Sequence, residues 1–166
     1  MSNQFVAILM GSKSDLDVMQ LTADTLEQYD IPYELNILSA HRSPKQTQEY
    51  VTDATRRGAQ VFIAAAGLAA HLAGAVSAQT IRPVIGVPLN AGSLGGLDAL
   101  LATVQMPGGM PVATTAIGKP GAQNAAILAA QILGLQDERI SRTIQAKRDE
   151  KLNALLQANQ ALTIED

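Results

Sequence analysis

Short apolar runs alternate along this chain with longer stretches whose apolar positions recur every three to four residues. Residues 5–10 (FVAILM) form a continuous apolar run closed by Gly11. Such a run predicts a strand buried on both faces. Residues 14–29 come next, with Leu16, Met19, Ala23 and Leu26 on one face of a helix. Further strands are predicted at 33–39 (YELNILS), 61–66 (VFIAAA), 83–87 (PVIGV) and 112–115. Helices are predicted at 43–58, 68–80, 95–104 and 120–133. The helix from Ser43 has Pro44 at its first position and Gln46 placed for a capping box. Five strands alternating with helices predict an α/β fold: a doubly wound parallel five-stranded sheet in three α/β/α layers. The expected strand order is flavodoxin-like, 2-1-3-4-5, which places a ligand beyond the carboxyl ends of the first and third strands.

Two helices do not suit an isolated subunit. Residues 120–133 (PGAQNAAILAAQIL) are apolar almost all round, so burial on every side is expected. Residues 137–162 come after the sheet is complete, with Ile140, Ile144, Leu152, Leu155 and Leu156 in a broken stripe. The chain therefore divides into a catalytic-type domain at 1–135 and a helical extension at 136–166 that packs on a neighbouring subunit. The 16% charged fraction is low for 166 residues and agrees with a covered surface. The apolar loop 104–111 (VQMPGGMP) suits a lid over a neighbour's site better than a solvent-facing turn. A net charge of −3 without a basic stripe argues against a nucleic-acid partner. No apolar run reaches the ~18–20 residues of a membrane span. The first residues lack a basic start and a cleavage pattern, so a cytoplasmic protein is expected.

The candidate chemistry lies at three strand ends. Gly11, Ser12, Ser14 and Asp15 form a turn in which glycine permits a sharp bend and the hydroxyls and helix start suit a phosphate. Asp15 would repel phosphate and suits ribose hydroxyls; alternatively, Ser14 and Asp17 only cap the helix. At the second strand end, Ser39 and Ala40 precede His41, able to transfer protons near neutral pH, and Arg42, able to grip phosphate. At the third, Ala66, Gly67, Leu68 and Ala69 lead to His71 and Leu72. There His71 reads more readily as a structural histidine holding a loop. With two histidines and no cysteine, no metal site is expected. Phosphate-binding glycine motifs and nucleophile elbows are also missing. Few aromatics argue against flavin.

Six ordered blocks now carry a resemblance: GSKSD at 11–15, SAHR at 39–42, AGLAAHLAG at 66–74, PVIGVP at 83–88, VQMPGGMPV at 104–112 and AIGKPGAQNAAILAAQIL at 116–133. Together they resemble the N5-carboxyaminoimidazole ribonucleotide mutases of purine biosynthesis, over about residues 5–135. The resemblance implies a carbamate–carboxylate interconversion on aminoimidazole ribonucleotide, without metal, biotin or nucleotide cofactor. It implies a homo-octamer with sites between subunits, and a functional link to the ATP-dependent synthetase that makes the carbamate. Ser12, Ser14, Asp15 and Arg42 then hold phosphate and ribose, with Gly11, Ser39 and Ala40 beside them. His41 is the catalytic acid and base, and residues 66–72, including His71, form the substrate loop. Two positions depart from the family pattern: Leu68 stands where a second glycine is common and Ala73 where a proline is common. His71 is retained, which favours the mutase over a carboxylase that takes free CO2. The remaining alternatives are that carboxylase, another nucleotide lyase or isomerase, and a non-catalytic flavodoxin-like binding module.

The chemistry suits these residues. An aminoimidazole is an enamine, so ring carbon 4 is already nucleophilic. Loss of CO2 from the carbamate needs a proton on nitrogen, and attack by carbon 4 leaves a proton to remove. The small apolar wall at 64–70 suits holding CO2 away from water.

Overall fold

The structure is a computed structural model and describes residues 4–162. Five parallel strands form one sheet in the order β2-β1-β3-β4-β5. They are β1 (Phe5–Met10), β2 (Tyr33–Ile37), β3 (Ala59–Gly67), β4 (Val84–Leu89) and β5 (Ala113–Thr114). The helices are α1 (Leu16–Glu27), α2 (Pro44–Arg57), α3 (Leu72–Ser77), α4 (Leu97–Val104), α5 (Lys119–Gly134) and α6 (Glu138–Leu162). Strand order and alternation agree with the pattern of apolar runs.

The central strands are apolar at every position except Gln60, near the start of β3, because each face meets a helical layer. In β1, Val6, Ile8 and Met10 join a core with Met19, Ala23 and Leu26 of α1 and Ala122 to Ala130 of α5. Phe5, Ala7 and Leu9 point the other way, toward Val51 of α2 and Leu72 and Val76 of α3. Gly86 of β4 lets α4 approach closely, since a Cβ there would overlap Thr103 and Val112.

Several elements are shorter than the pattern predicts. Before α1, residues 13–15 form a 3-10 turn. β2 ends at Ile37, where the chain turns into the loop that carries Ser39. The helix expected at 68–80 is only α3, because Leu68 has a left-handed φ of 55° that no helix accommodates. The capping box from Ser43 to Gln46 is not formed, since the Ser43 hydroxyl bonds back to Ser39.

α5 is not buried on every side within the chain. Gly121, Ala122, Ala125, Ala126, Ala129 and Ala130 face the sheet and α1, whereas Gln123 and Asn124 are exposed. α6 turns back over α5 and seats Ile140 and Ile144 in the same core. Beyond Ile144 it projects outward, with Leu152, Leu155 and Leu156 exposed. No helix among the described residues is long and apolar enough to cross a membrane.

Candidate active site

The topology places the carboxyl ends of β2, β1 and β3 side by side, so three loops converge there. The loop after β1 begins with Gly11, whose amide extends the ladder by donating to Ala65 O at 3.1 Å. Gly11 has no left-handed φ, and a Cβ would meet nothing nearer than Asp15 Oδ2 at 3.8 Å. Glycine is therefore not required by the bend; its effect is to leave the surface open. Ser12, rather than Ser14 or Asp17, caps the following turn: its Oγ accepts from Ser14 N at 3.3 Å and from Ser14 Oγ at 2.9 Å. Partial burial raises the Asp15 carboxyl above its ordinary value, opposed by hydrogen bonds from the Ser12 region and Ser14 and by the Arg42 charge.

The loop after β2 is built on two serines. Ser39 N donates to Ser43 Oγ at 2.9 Å, and Ser43 Oγ donates to Ser39 O at 3.2 Å. Ser39 Oγ accepts from the backbone amides of His41 (3.3 Å) and Arg42 (3.2 Å). Short side chains thus fix the backbone that carries the two functional ones, leaving both exposed. Arg42 Nη2 donates to Gly11 O at 2.6 Å and ties this loop to the first.

The loop after β3 is shaped by close approach. A Cβ on Gly67 would lie 2.7 Å from the Ala91 Cβ, so only glycine lets the β4 loop close against it. Leu68 then takes the left-handed conformation that glycine holds at lower cost. This is the position where the sequence departs from the family pattern. The turn ends with His71 N donating to Ala69 O at 2.9 Å, and buried Leu72 anchors the start of α3. Ala73, the second departure, is buried inside α3.

Gly11, Ser12, Ser14, Asp15, Ser39, Ala40, His41, Arg42, Ala66, Gly67, Leu68, Ala69, His71 and Leu72 all line one cleft of about 460 Å³. The cleft has one further lining residue, Ala91, which sequence reasoning missed. Its signal was the glycine-rich stretch after β4 (NAGSLGG), which obeys the same strand-end rule. His71 does more than hold its loop. Its Nδ1 lies 2.6 Å from His41 Nε2, with the rings nearly perpendicular and their centroids 4.8 Å apart.

The cleft thus combines a guanidinium and two hydroxyls suited to a phosphate, a carboxyl suited to sugar hydroxyls, and an imidazole pair suited to moving protons. Among the described residues, no group of three or more potential metal ligands is assembled.

Comparisons with known proteins bear on the chain as a whole. The family model described as AIR carboxylase matches residues 5–154. The N5-carboxyaminoimidazole ribonucleotide mutase of Bacillus subtilis is 48% identical over 157 residues, 95% of this chain and 97% of that protein. The enzyme of that name from Vibrio parahaemolyticus is 50% identical over 151 residues, 91% of this chain and 94% of its own. Among solved structures, Treponema denticola PurE superposes with a TM-score of 0.86 at 27% identity, covering 96% of this chain and 98% of its own.

Proposed function

The chain belongs to the AIR carboxylase family, and from that premise we propose the reaction and the part each residue plays in it. It is an N5-carboxyaminoimidazole ribonucleotide mutase of purine biosynthesis, an isomerase acting on a small nucleotide, as its relatives are named. The observation that carries the residue roles is the convergence of Arg42, Ser12, Ser14, Asp15 and His41 on one cleft.

Arg42 and the two hydroxyls take the phosphate, and Asp15 accepts from the ribose. Protonated His41 gives its proton to the carbamate nitrogen; the C–N bond breaks and releases CO2 beside the ring. Carbon 4 attacks that CO2, forming the new C–C bond. Neutral His41 then removes the proton from carbon 4, so the protons balance over the cycle. The half-buried wall of Ala66 and Gly67 limits water around the freed CO2.

The test is an ultraviolet assay for the ring-carboxylated product, comparing carbamate substrate with aminoimidazole ribonucleotide plus bicarbonate. Turnover of the carbamate substrate, and much slower turnover of the second mixture, is expected. Preference for the second mixture would transfer the chain to the carboxylases that take free CO2.

The same reading makes the protein a cytoplasmic homo-octamer, fed by an ATP-dependent synthetase. The exposed apolar surface supports assembly, with Leu94, Leu97, Leu101 and Val104 at helical spacing on and before α4 and Leu152, Leu155 and Leu156 on α6; the count of eight comes from the family resemblance alone. Deleting residues 145–166 keeps Ile140 and Ile144 in the core and should reduce the assembly mass by light scattering. An unchanged mass would show that α6 does not join subunits.

A further inference from the structure

We infer that His71 is a positioning residue that fixes the tautomer of His41, the two rings acting as one base with a single shared proton. This rests on the assignment of His41 above and goes beyond it. The observation is the 2.6 Å approach of His41 Nε2 to His71 Nδ1 across thirty residues of sequence, in nearly perpendicular rings. Two bare nitrogens would repel at that distance, and so would two N–H groups. One proton must lie between them. Among the described residues, neither His41 Nδ1 nor His71 Nε2 meets a protein partner.

This geometry limits the protonation states. A neutral pair holds two protons, one between the rings and one on an outer nitrogen. Where His41 Nε2 donates to His71 Nδ1, His41 Nδ1 is bare and can take a proton. Adding that proton gives a singly charged pair, the form that can return it. A second charge would set two N–H groups against each other, so the rings must part before it binds. In that arrangement His71, as the acceptor, holds the His41 tautomer that works as a base and supports its charged form. An orienting residue does the same for a catalytic histidine elsewhere. Asp15 and Arg42 are the other ionisable groups lining the cleft. Arg42 is engaged with Gly11 O and neither bonds to an imidazole.

The chain has only two histidines, so ¹⁵N spectra of the labelled full-length protein resolve four ring nitrogens. Near pH 8 the expected result is a protonated Nε2 and a bare Nδ1 on His41. As the pH falls, both rings should report a single proton uptake. Two independent titrations, or a His41 protonated on Nδ1 alone, would overturn the inference. Kinetics supply the second arm. His71→Leu removes the acceptor and should lower kcat on the order of 100-fold, with KM changed little and the basic limb of the pH profile moved to lower pH. His71→Asn places an oxygen near the Nδ1 position and should recover most of that loss and shift the limb back. Equal impairment of the two variants, with folding intact by circular dichroism, would reduce His71 to a structural residue and sink the proposal. Near-normal turnover in His41→Asn would instead refute the assignment of His41 while leaving the spectroscopic result in place.

Discussion

The two ends of this sheet carry cavities of different size and opposite character. At the amino ends of β4 and β5, a groove of about 840 Å³ is lined by Thr55, residues 77–84, and Met110 and Pro111. At the carboxyl ends, the cleft with both histidines measures about 460 Å³. The larger groove has one ionisable lining residue, Arg82, whose guanidinium meets Gln60 at 3.4 Å. The smaller cleft holds Asp15, His41, Arg42 and His71. Volume records where the surface is concave; a cluster of ionisable groups records where chemistry is possible. Parallel strands explain the asymmetry. Every strand points one way, so the loops entering helix N-termini collect at the carboxyl ends and carry the groups that meet a ligand.

The largest effect that could break this contrast belongs to His41. His41→Asn should lower kcat on the order of 10³-fold, within the range of general acid–base catalysis. The side chain is exposed, so the melting temperature should hardly move. Retention of a tenth of the activity would remove His41 from the proton transfers. Next comes Arg42→Ala. Loss of a charge-assisted hydrogen bond to phosphate, about 1.5–3 kcal/mol, should raise KM roughly 10- to 100-fold with a smaller change in kcat. The matched change at the other end of the sheet, Arg82→Ala, should leave both parameters within about twofold. A comparable rise in KM from Arg82→Ala would mean that the larger groove takes part in binding.

Much of this contrast was legible in the residues. Apolar runs located the strands, because a strand buried on both faces has no room for polar alternation. Helical periodicity located the long helices for the corresponding reason. The rule that ligands gather at strand carboxyl ends points to the three loops that line the cleft. What escaped is local conformation and long-range pairing. Leucine at 68 has no sequence signature of φ = 55°, so the predicted helix began four residues early. Ser43 has the spacing of a capping box, yet its hydroxyl bonds to Ser39, a competing local side-chain-to-backbone link four residues back. His41 and His71 meet only through the adjacency of β1 with both β2 and β3. Each histidine alone carried no signal that the other would stand at its ring nitrogen.

The smallest predicted effect separates a carboxylate of the cleft from one outside it. Glu34 on β2 accepts from Arg57 Nη2 and from Tyr50 Oη, both at 2.9 Å. These bonds hold its pKa below the ordinary value, the Arg57 hydrogen bond foremost. A depressed folded-state pKa gives stability that is present above the unfolded value and lost as the pH falls. Asp15 is shifted the other way, chiefly by burial. Its contribution is present below the unfolded value and lost as the pH rises, so near neutrality the ionised group works against folding. Both carboxylates are partly exposed, and solvent screening keeps the effects small. Near pH 7, Asp15→Asn should raise the melting temperature by on the order of 1 °C, and Glu34→Gln should lower it by a similar amount. Both differences should shrink below pH ~4, as the carboxylates of the parent protein become protonated. Scanning calorimetry at the two pH values checks the signs. Asp15→Asn should also raise KM, since the amide replaces the acceptor for ribose hydroxyls. A drop in melting temperature for Asp15→Asn at neutral pH would mean that the cleft is built for stability at this position, as the outer face is at Glu34.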